Sequence, residues 1–91
     1  MIYMLCRNRV EDYARWRVVF DSHKEAHQSS GLRLIEMWRD LEDPNNIFFS
    51  LEVTDLASAR EFISTPEAAE AGEVSGVIDG EAHFVESIPC D

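Results

Sequence analysis

The sequence predicts an α+β domain in which four strands and two helices follow the order β-α-β-β-α-β, the strands forming one antiparallel sheet. Three observations carry this expectation. Residues 2–10 and 77–87, near the two ends of the chain, alternate in hydrophobicity as strands do. Residues 11–31 and 55–64 instead repeat apolar side chains at helical spacing. Between those helices, residues 32–43 and 47–54 flank Asp43-Pro44-Asn45-Asn46, the turn chemistry of a hairpin.

Each element has its own justification. IYMLCRNRV (2–10) puts Ile2, Met4, Cys6 and Val10 on one side of a strand. EDYARWRVVFDSHKEAHQSSG (11–31) opens with Glu11 and Asp12, where carboxylates suit the helix dipole, and ends at Gly31. Along it Tyr13, Trp16, Phe20, His23 and His27 fall within an arc of about 80°. DLASAREFIS (55–64) has Asp55 as N-cap, Leu56, Ala59, Phe62 and Ile63 as its buried face, and Pro66 beyond its end. PEAAEAGEVSG (66–76) reads as a short acidic helical turn or loop, and VIDGEAHFVES (77–87) as the last strand, with Gly80 a bulge or kink. Right-handed crossovers are expected to set the first and last strands side by side at the sheet centre. Arg7 and Arg9 then face the acidic last strand, with Glu81 and Glu86 as cross-strand partners.

Composition narrows the function. With 91 residues the chain is one domain, 1–91, burying roughly 60 to 65% of its unfolded surface. Up to Arg60 there are eight basic and ten acidic residues; beyond it there are eight acids and no Lys or Arg. A net charge of −10 repels phosphate backbones and anionic membranes, which argues against nucleic-acid and membrane partners. No run approaches the roughly 18 apolar residues of a membrane span, and MIYMLCRNRV is not patterned as a signal peptide, so the cytosol is expected. Cys6, mid-strand, and Cys90, after Pro89, are expected to be free thiols.

Both parities of several strands carry bulk: Met4 and Leu5, Ile35 and Trp38, Phe48 and Phe49, Phe84 and Val85. Two helices cover only one face of a sheet, so a monomer would leave an apolar patch in water. A twofold homodimer, sheet against sheet, relieves this.

The chain resembles the dimeric α/β-barrel proteins of ferredoxin-like fold, a group that includes antibiotic-biosynthesis-type monooxygenases and many small uncharacterised proteins. The resemblance spans nearly the whole chain and rests on the element order, the DYARWRVVFDSH helix, the WRDLEDPNN hairpin and the AREFISTPEAAEAGEVSGV segment. It implies a homodimer whose two sheets form a barrel, with a small pocket between each sheet and its helices. It also implies chemistry on small organic molecules, often without metal or flavin, although fold alone does not define function. The haem-degrading members use an asparagine on the first strand, a tryptophan on a strand and a haem-ligating histidine on the second helix. Asn8 and Trp38 match the first two, but DLASAREFIS contains no histidine.

His23 and His27, at i and i+4, share a helix face and have the spacing of a metal-chelating pair. His83 is the available third nitrogen if its side chain points towards the helices, which the strand's parity leaves open, since the apolar set Ala82, Phe84 and Ile88 would send it the other way; no metal or cofactor is assigned. In the alternative use, His23 is a general base in an apolar pocket that holds a flat substrate. Trp16, Phe20, Trp38, His27 and His83 are then the substrate-binding candidates. Trp16 and Phe20 have core packing as their competing role, and Tyr13 and Asn46 are read as packing and turn chemistry. No phosphate loop, nucleophile elbow or RNA-recognition strand motif is present. The expected function is a cofactor-independent monooxygenase, isomerase or cyclase acting on a small aromatic or polyketide-like compound; the alternative is a non-catalytic ligand-binding or assembly module.

Overall fold

The computed structural model describes residues 1–90. It runs β1 (Ile2–Val10), α1 (Tyr13–Ser22), α2 (Lys24–Ser29), β2 (Leu32–Arg39), β3 (Asn46–Val53), α3 (Leu56–Ile63), α4 (Pro66–Val74) and β4 (Val77–Glu86). The strands form one antiparallel sheet in the order β2-β3-β1-β4. β1 pairs with β4 as expected, but β3 shares the centre with β1, and β4 is an edge. The reason is that each helical crossover joins strands one place apart: β1 and β2 flank β3, and β3 and β4 flank β1.

The single helix expected over 11–31 is two. His23 takes φ −98° and ψ 10° between α1 and α2. The Val19 carbonyl, which an unbroken helix would offer to the His23 N–H, is occupied by side chains: Ser22 Oγ donates to it at 2.6 Å and His23 Nδ1 at 2.8 Å. The His23 N–H bonds to Phe20 O instead, at 3.1 Å. Polar side chains competing for backbone acceptors break the ladder here. The chain resumes as α2 and stops at Gly31, which has a φ of +74° and where a Cβ would stand only 3.0 Å from Asp55 and Thr54.

Residues 66–74 are a full helix, α4, rather than a turn: Thr65 Oγ1 accepts from Ala68 N at 3.2 Å and Pro66 occupies the first turn. Asp12 and Asp55 cap α1 and α3 in the same way. Of the expected buried face of α3, Ala59 is fully buried and Leu56 and Phe62 pack against the core, whereas Ile63 lies exposed at the rim.

The bulge expected at Gly80 lies two residues before it. Arg9 pairs with Asp79 and Val10 with Val77, so Ile78 is the extra residue, while Gly80 sits opposite Asn8 in regular register. Gly80 is required for close approach: a Cβ there would lie 2.7 Å from Arg7 O and from the Asn8 carboxamide. A second shift, at Ile35 in β2, reverses parity along that strand.

Register sorts the side chains onto two faces. Met4, Cys6, Phe49 and Leu51 meet the helices, with Trp16, Leu32, Ile47 and Val53 in the same buried core. Leu5, Trp38 and Phe48 lie on the open face, 39 to 51% exposed. There Asp79 bridges Arg7, at 2.9 Å, and Arg9, and Glu81 stands 3.5 Å from Arg7. Glu86 is not a partner of either arginine, because it stands opposite Ile2 at the far end of the strand. The two arginines hold the Asp79 carboxyl below its usual range, mainly by hydrogen bonding. Both Cys6 and Cys90 are free. No helix among the described residues is long and apolar enough to cross a membrane.

Candidate functional site

A cavity of about 450 Å³ separates the sheet from its two helical covers. Met4, Cys6, Phe49 and Leu51 form its floor, α1 and α2 one wall, and Phe62 with the inner side of α4 the other. The stripe predicted along residues 11–31 survives the helix break, since Trp16, Phe20, His23 and His27 all line this space. Trp16 stacks on Phe20 with ring centroids 4.9 Å apart, and Phe20 meets Phe49 edge-on at 5.1 Å. These contacts also make Trp16, which is 2% exposed, the largest fully buried side chain.

The two imidazoles differ. The His23 Nδ1–H donates to Val19 O, a carbonyl that can only accept, so Nε2 is the ring nitrogen without that bond. The His27 ring lies between Phe20 and Phe62, at 5.2 and 5.5 Å, and makes no hydrogen bond among the described residues. Burial, reinforced by the neighbouring His23, lowers its pKa below the ordinary 6.5, so His27 is neutral at neutral pH. Both rings line a mostly apolar space that also takes in Asn8, Ser75 and the carboxylates Glu67 and Glu81.

Several cavity residues escaped notice in the sequence as parts of a pocket, Cys6, Asn8, Glu67 and Glu81 among them. Cys6 lies in the floor, its thiol pushed up to about 12 by burial, so it stays protonated. Asn8, which entered only through the haem-degrader pattern, bridges two elements: its carboxamide oxygen accepts from Trp16 Nε1 at 3.3 Å and its nitrogen donates to Arg7 O at 2.9 Å. Alternation marks Cys6 and Asn8 as inward-facing, but nothing in the sequence signals the empty volume above them.

Trp38 and His83 lie elsewhere. Trp38 pairs with Phe48, and His83 with Leu5, on the open face of the sheet. The Ile35 shift turns Trp38 outward; without it, the alternation from Leu32 and Leu34 would have aimed Trp38 at the helices. His83 has Glu81 as its neighbour at 3.8 Å. Tyr13 receives a hydrogen bond from Arg17 at 2.9 Å and carries the Arg39 guanidinium 4.2 Å above its ring, which is packing at the helix start. Asn46 does more than turn the chain: it accepts from Arg7 at 2.9 Å and donates to Asp40 at 3.2 Å. Among the described residues, no group of three or more His, Cys, Asp or Glu side chains is placed to hold a metal ion.

No protein-family model and no curated protein sequence matches the chain. Solved structures do. SnoaB, a cofactor-independent oxygenase from Streptomyces nogalater, superposes with a TM-score of 0.75 over 98% of this chain and 94% of its own, at 15% identity. An antibiotic biosynthesis monooxygenase gives 0.70 over 98% and 100%, at 16% identity. An uncharacterized NIPSNAP domain protein from Burkholderia xenovorans gives 0.66 over 97% and 95%, at 13% identity. The fold is thus the ferredoxin-like fold of antibiotic-biosynthesis-monooxygenase-like proteins, and at these identities the likeness concerns the fold.

Proposed function

We propose that the chain is a homodimeric, cofactor-independent enzyme that oxygenates or rearranges a small aromatic or polyketide-like molecule, with His23 as general base. The observation that carries this reading is an aromatic-walled cavity lined by two imidazoles, His23 and His27. His23 fits the base role because its other nitrogen is fixed by Val19 O, which sets the tautomer as a second group does in any oriented base. Trp16, Phe20 and His27 hold a flat ring, and burial keeps His27 neutral. In such a site the base takes a proton from an acidic phenol or methylene and leaves a delocalised anion. Dioxygen is the co-reactant for oxygenation: a methylene becomes a carbonyl, one oxygen atom is retained, and the other departs with the two hydrogens as water.

The open face supports the dimer. Leu5, Ile35, Trp38 and Phe48 expose 39 to 51% of their surface there, an apolar patch that a second sheet would cover. Trp38 and His83 then belong to the interface side of the molecule. A soluble protein in the cytosol remains the expected setting.

The reaction class is tested by oxygen uptake with a panel of flat phenols and anthrone-type methylene acids. Wild type should consume oxygen with a rate that rises as imidazole deprotonates. His23→Ala should lose on the order of 100-fold. Unchanged turnover in His23→Ala would remove His23 from the mechanism, and binding without turnover across the panel would favour the non-catalytic module.

A further inference from the structure

Of the eight basic residues, every arginine is already engaged. Arg7 and Arg9 hold Asp79, Arg15 donates to Val74 O, Arg17 holds Asp21 and Arg33 holds Glu52. Arg39 lies over the Tyr13 ring and Arg60 over that of Phe84. Lys24, the one lysine, has no ion-pair or hydrogen-bond partner among the described residues. Asp21 stands one helical turn before it, but both of its carboxylate oxygens accept from Arg17 Nε, at 3.0 and 3.1 Å. In a chain with 18 Asp and Glu, an uncompensated cation is the exception.

Lys24 lines a groove of about 380 Å³ between the α1–α2 pair and the β2 edge of the sheet. α2 packs against β2, whereas α1 reaches that strand through long side chains, with Arg17 Nη1 donating to Met37 Sδ at 3.3 Å. Phe20, Leu32 and Leu34 form the apolar part of the groove. Leu34 pairs with Leu51 on the helix side of the sheet, yet it is 39% exposed. The larger cavity has Glu67 and Glu81 in its lining and no Lys or Arg. The groove instead sets Arg17, Lys24 and Arg33 against Asp21 alone. Phe20, His27 and Leu32 line both spaces, so one layer of side chains separates them.

We propose that this groove is a second binding site, for a small aromatic carboxylate whose ring lies on Phe20 and Leu34 and whose charge meets the Lys24 ammonium. An exposed leucine on the covered side and an uncompensated cation at one groove call for an apolar body with a single negative charge. A neutral hydrocarbon would leave Lys24 unanswered, and a dianion would meet Asp21. The volume has room for a bicyclic ring. Neither His23 nor any residue of α3 or α4 lines the groove, so this site does not depend on the chemistry proposed for the cavity.

Calorimetry and intermolecular nuclear Overhauser effects with 1-naphthoate, on the whole protein, test this. Bound 1-naphthoate should show contacts to the Leu34 methyl protons and the Phe20 ring. Lys24 is exposed, so Lys24→Gln and Lys24→Arg should leave the fold intact. Lys24→Gln should weaken 1-naphthoate binding about three- to fivefold, the range of an exposed ion pair, and Lys24→Arg should retain it. The neutral isostere 1-naphthamide should bind wild type more weakly by the same factor and be indifferent to Lys24→Gln. Salt at about 0.5 M should erase the difference between the two probes. The site is overturned if 1-naphthoate does not bind, if wild type and Lys24→Gln bind it equally, or if its contacts are to Ala71 and Phe62 in place of Leu34. If 1-naphthol does not enter the cavity while 1-naphthoate binds the groove, the cavity reading falls and the groove stands.

Discussion

The two faces of the sheet come from the same four strands and differ in almost everything else. The covered face is largely apolar and aromatic, and burial holds two of its ionisable groups uncharged: Cys6 in the floor and His27 between Phe20 and Phe62. The open face mixes exposed aromatics with ion pairs, Arg7 and Arg9 on Asp79 and Arg33 on Glu52 at 3.0 Å. One face is completed within the chain around a void, and the other is left with apolar area in water. The contrast teaches that strand alternation distributes two different tasks, a cavity and a contact surface, onto neighbouring residues.

Substitutions on each side should separate the tasks. Trp16→Ala, which removes the largest buried side chain and the Asn8 hydrogen bond, should cost about 3–5 kcal/mol in denaturant unfolding, without changing the surface of the open face. Phe48→Asp should do the reverse. It should leave the monomer fold intact by circular dichroism and convert a dimer to a monomer in sedimentation velocity at micromolar concentration. A wild-type monomer under those conditions would contradict the dimer outright. Gly80→Ala probes the seam between the faces, because its Cβ would press on Arg7 O at 2.7 Å; a loss of about 1–3 kcal/mol is expected.

Much of this division was legible in the sequence. The order of elements, the inward set of β1, and the shared stripe of Trp16, Phe20, His23 and His27 all follow from periods of 2 and 3.6, which survive local irregularity. The outward position of Trp38 was not legible, because a one-residue shift at Ile35 inverts the pattern and leaves no compositional mark. The break at His23 depends on two side chains reaching one carbonyl, a contact that residue spacing does not encode. α4 was under-read because its acidic, glycine-containing sequence is a poor core helix; its Thr65-Pro66 start outweighs that locally. The cavity itself is a volume left by small residues on α4, and alternation is silent about volumes.

Smaller effects sharpen the comparison further. His27 binds protons less well folded than unfolded, so the unfolded chain takes up more protons as pH falls below 6.5. Its contribution to stability is present above 6.5 and lost below it. Thermal unfolding should show a midpoint that drops from pH 7.5 to pH 5, and His27→Phe should flatten that part of the curve. On the open face, Asp79 has a lowered pKa, so its contribution is present above 3.8 and lost as pH falls through its folded value. Asp79→Asn should therefore lower the midpoint above pH 3.8 and flatten the fall in acid, with the two profiles converging at the acid end. Smallest of all, a thiol reagent at pH 8 should label Cys90 quickly and Cys6 only on unfolding, because the first is exposed and the second is buried and protonated.

The central claim is that the covered face, not the open one, receives the ligand. Intermolecular nuclear Overhauser effects from bound 1-naphthol test it most directly. The account predicts contacts to the ring protons of Phe20, His27 and Phe62. Contacts confined to Trp38 and Phe48 would contradict it.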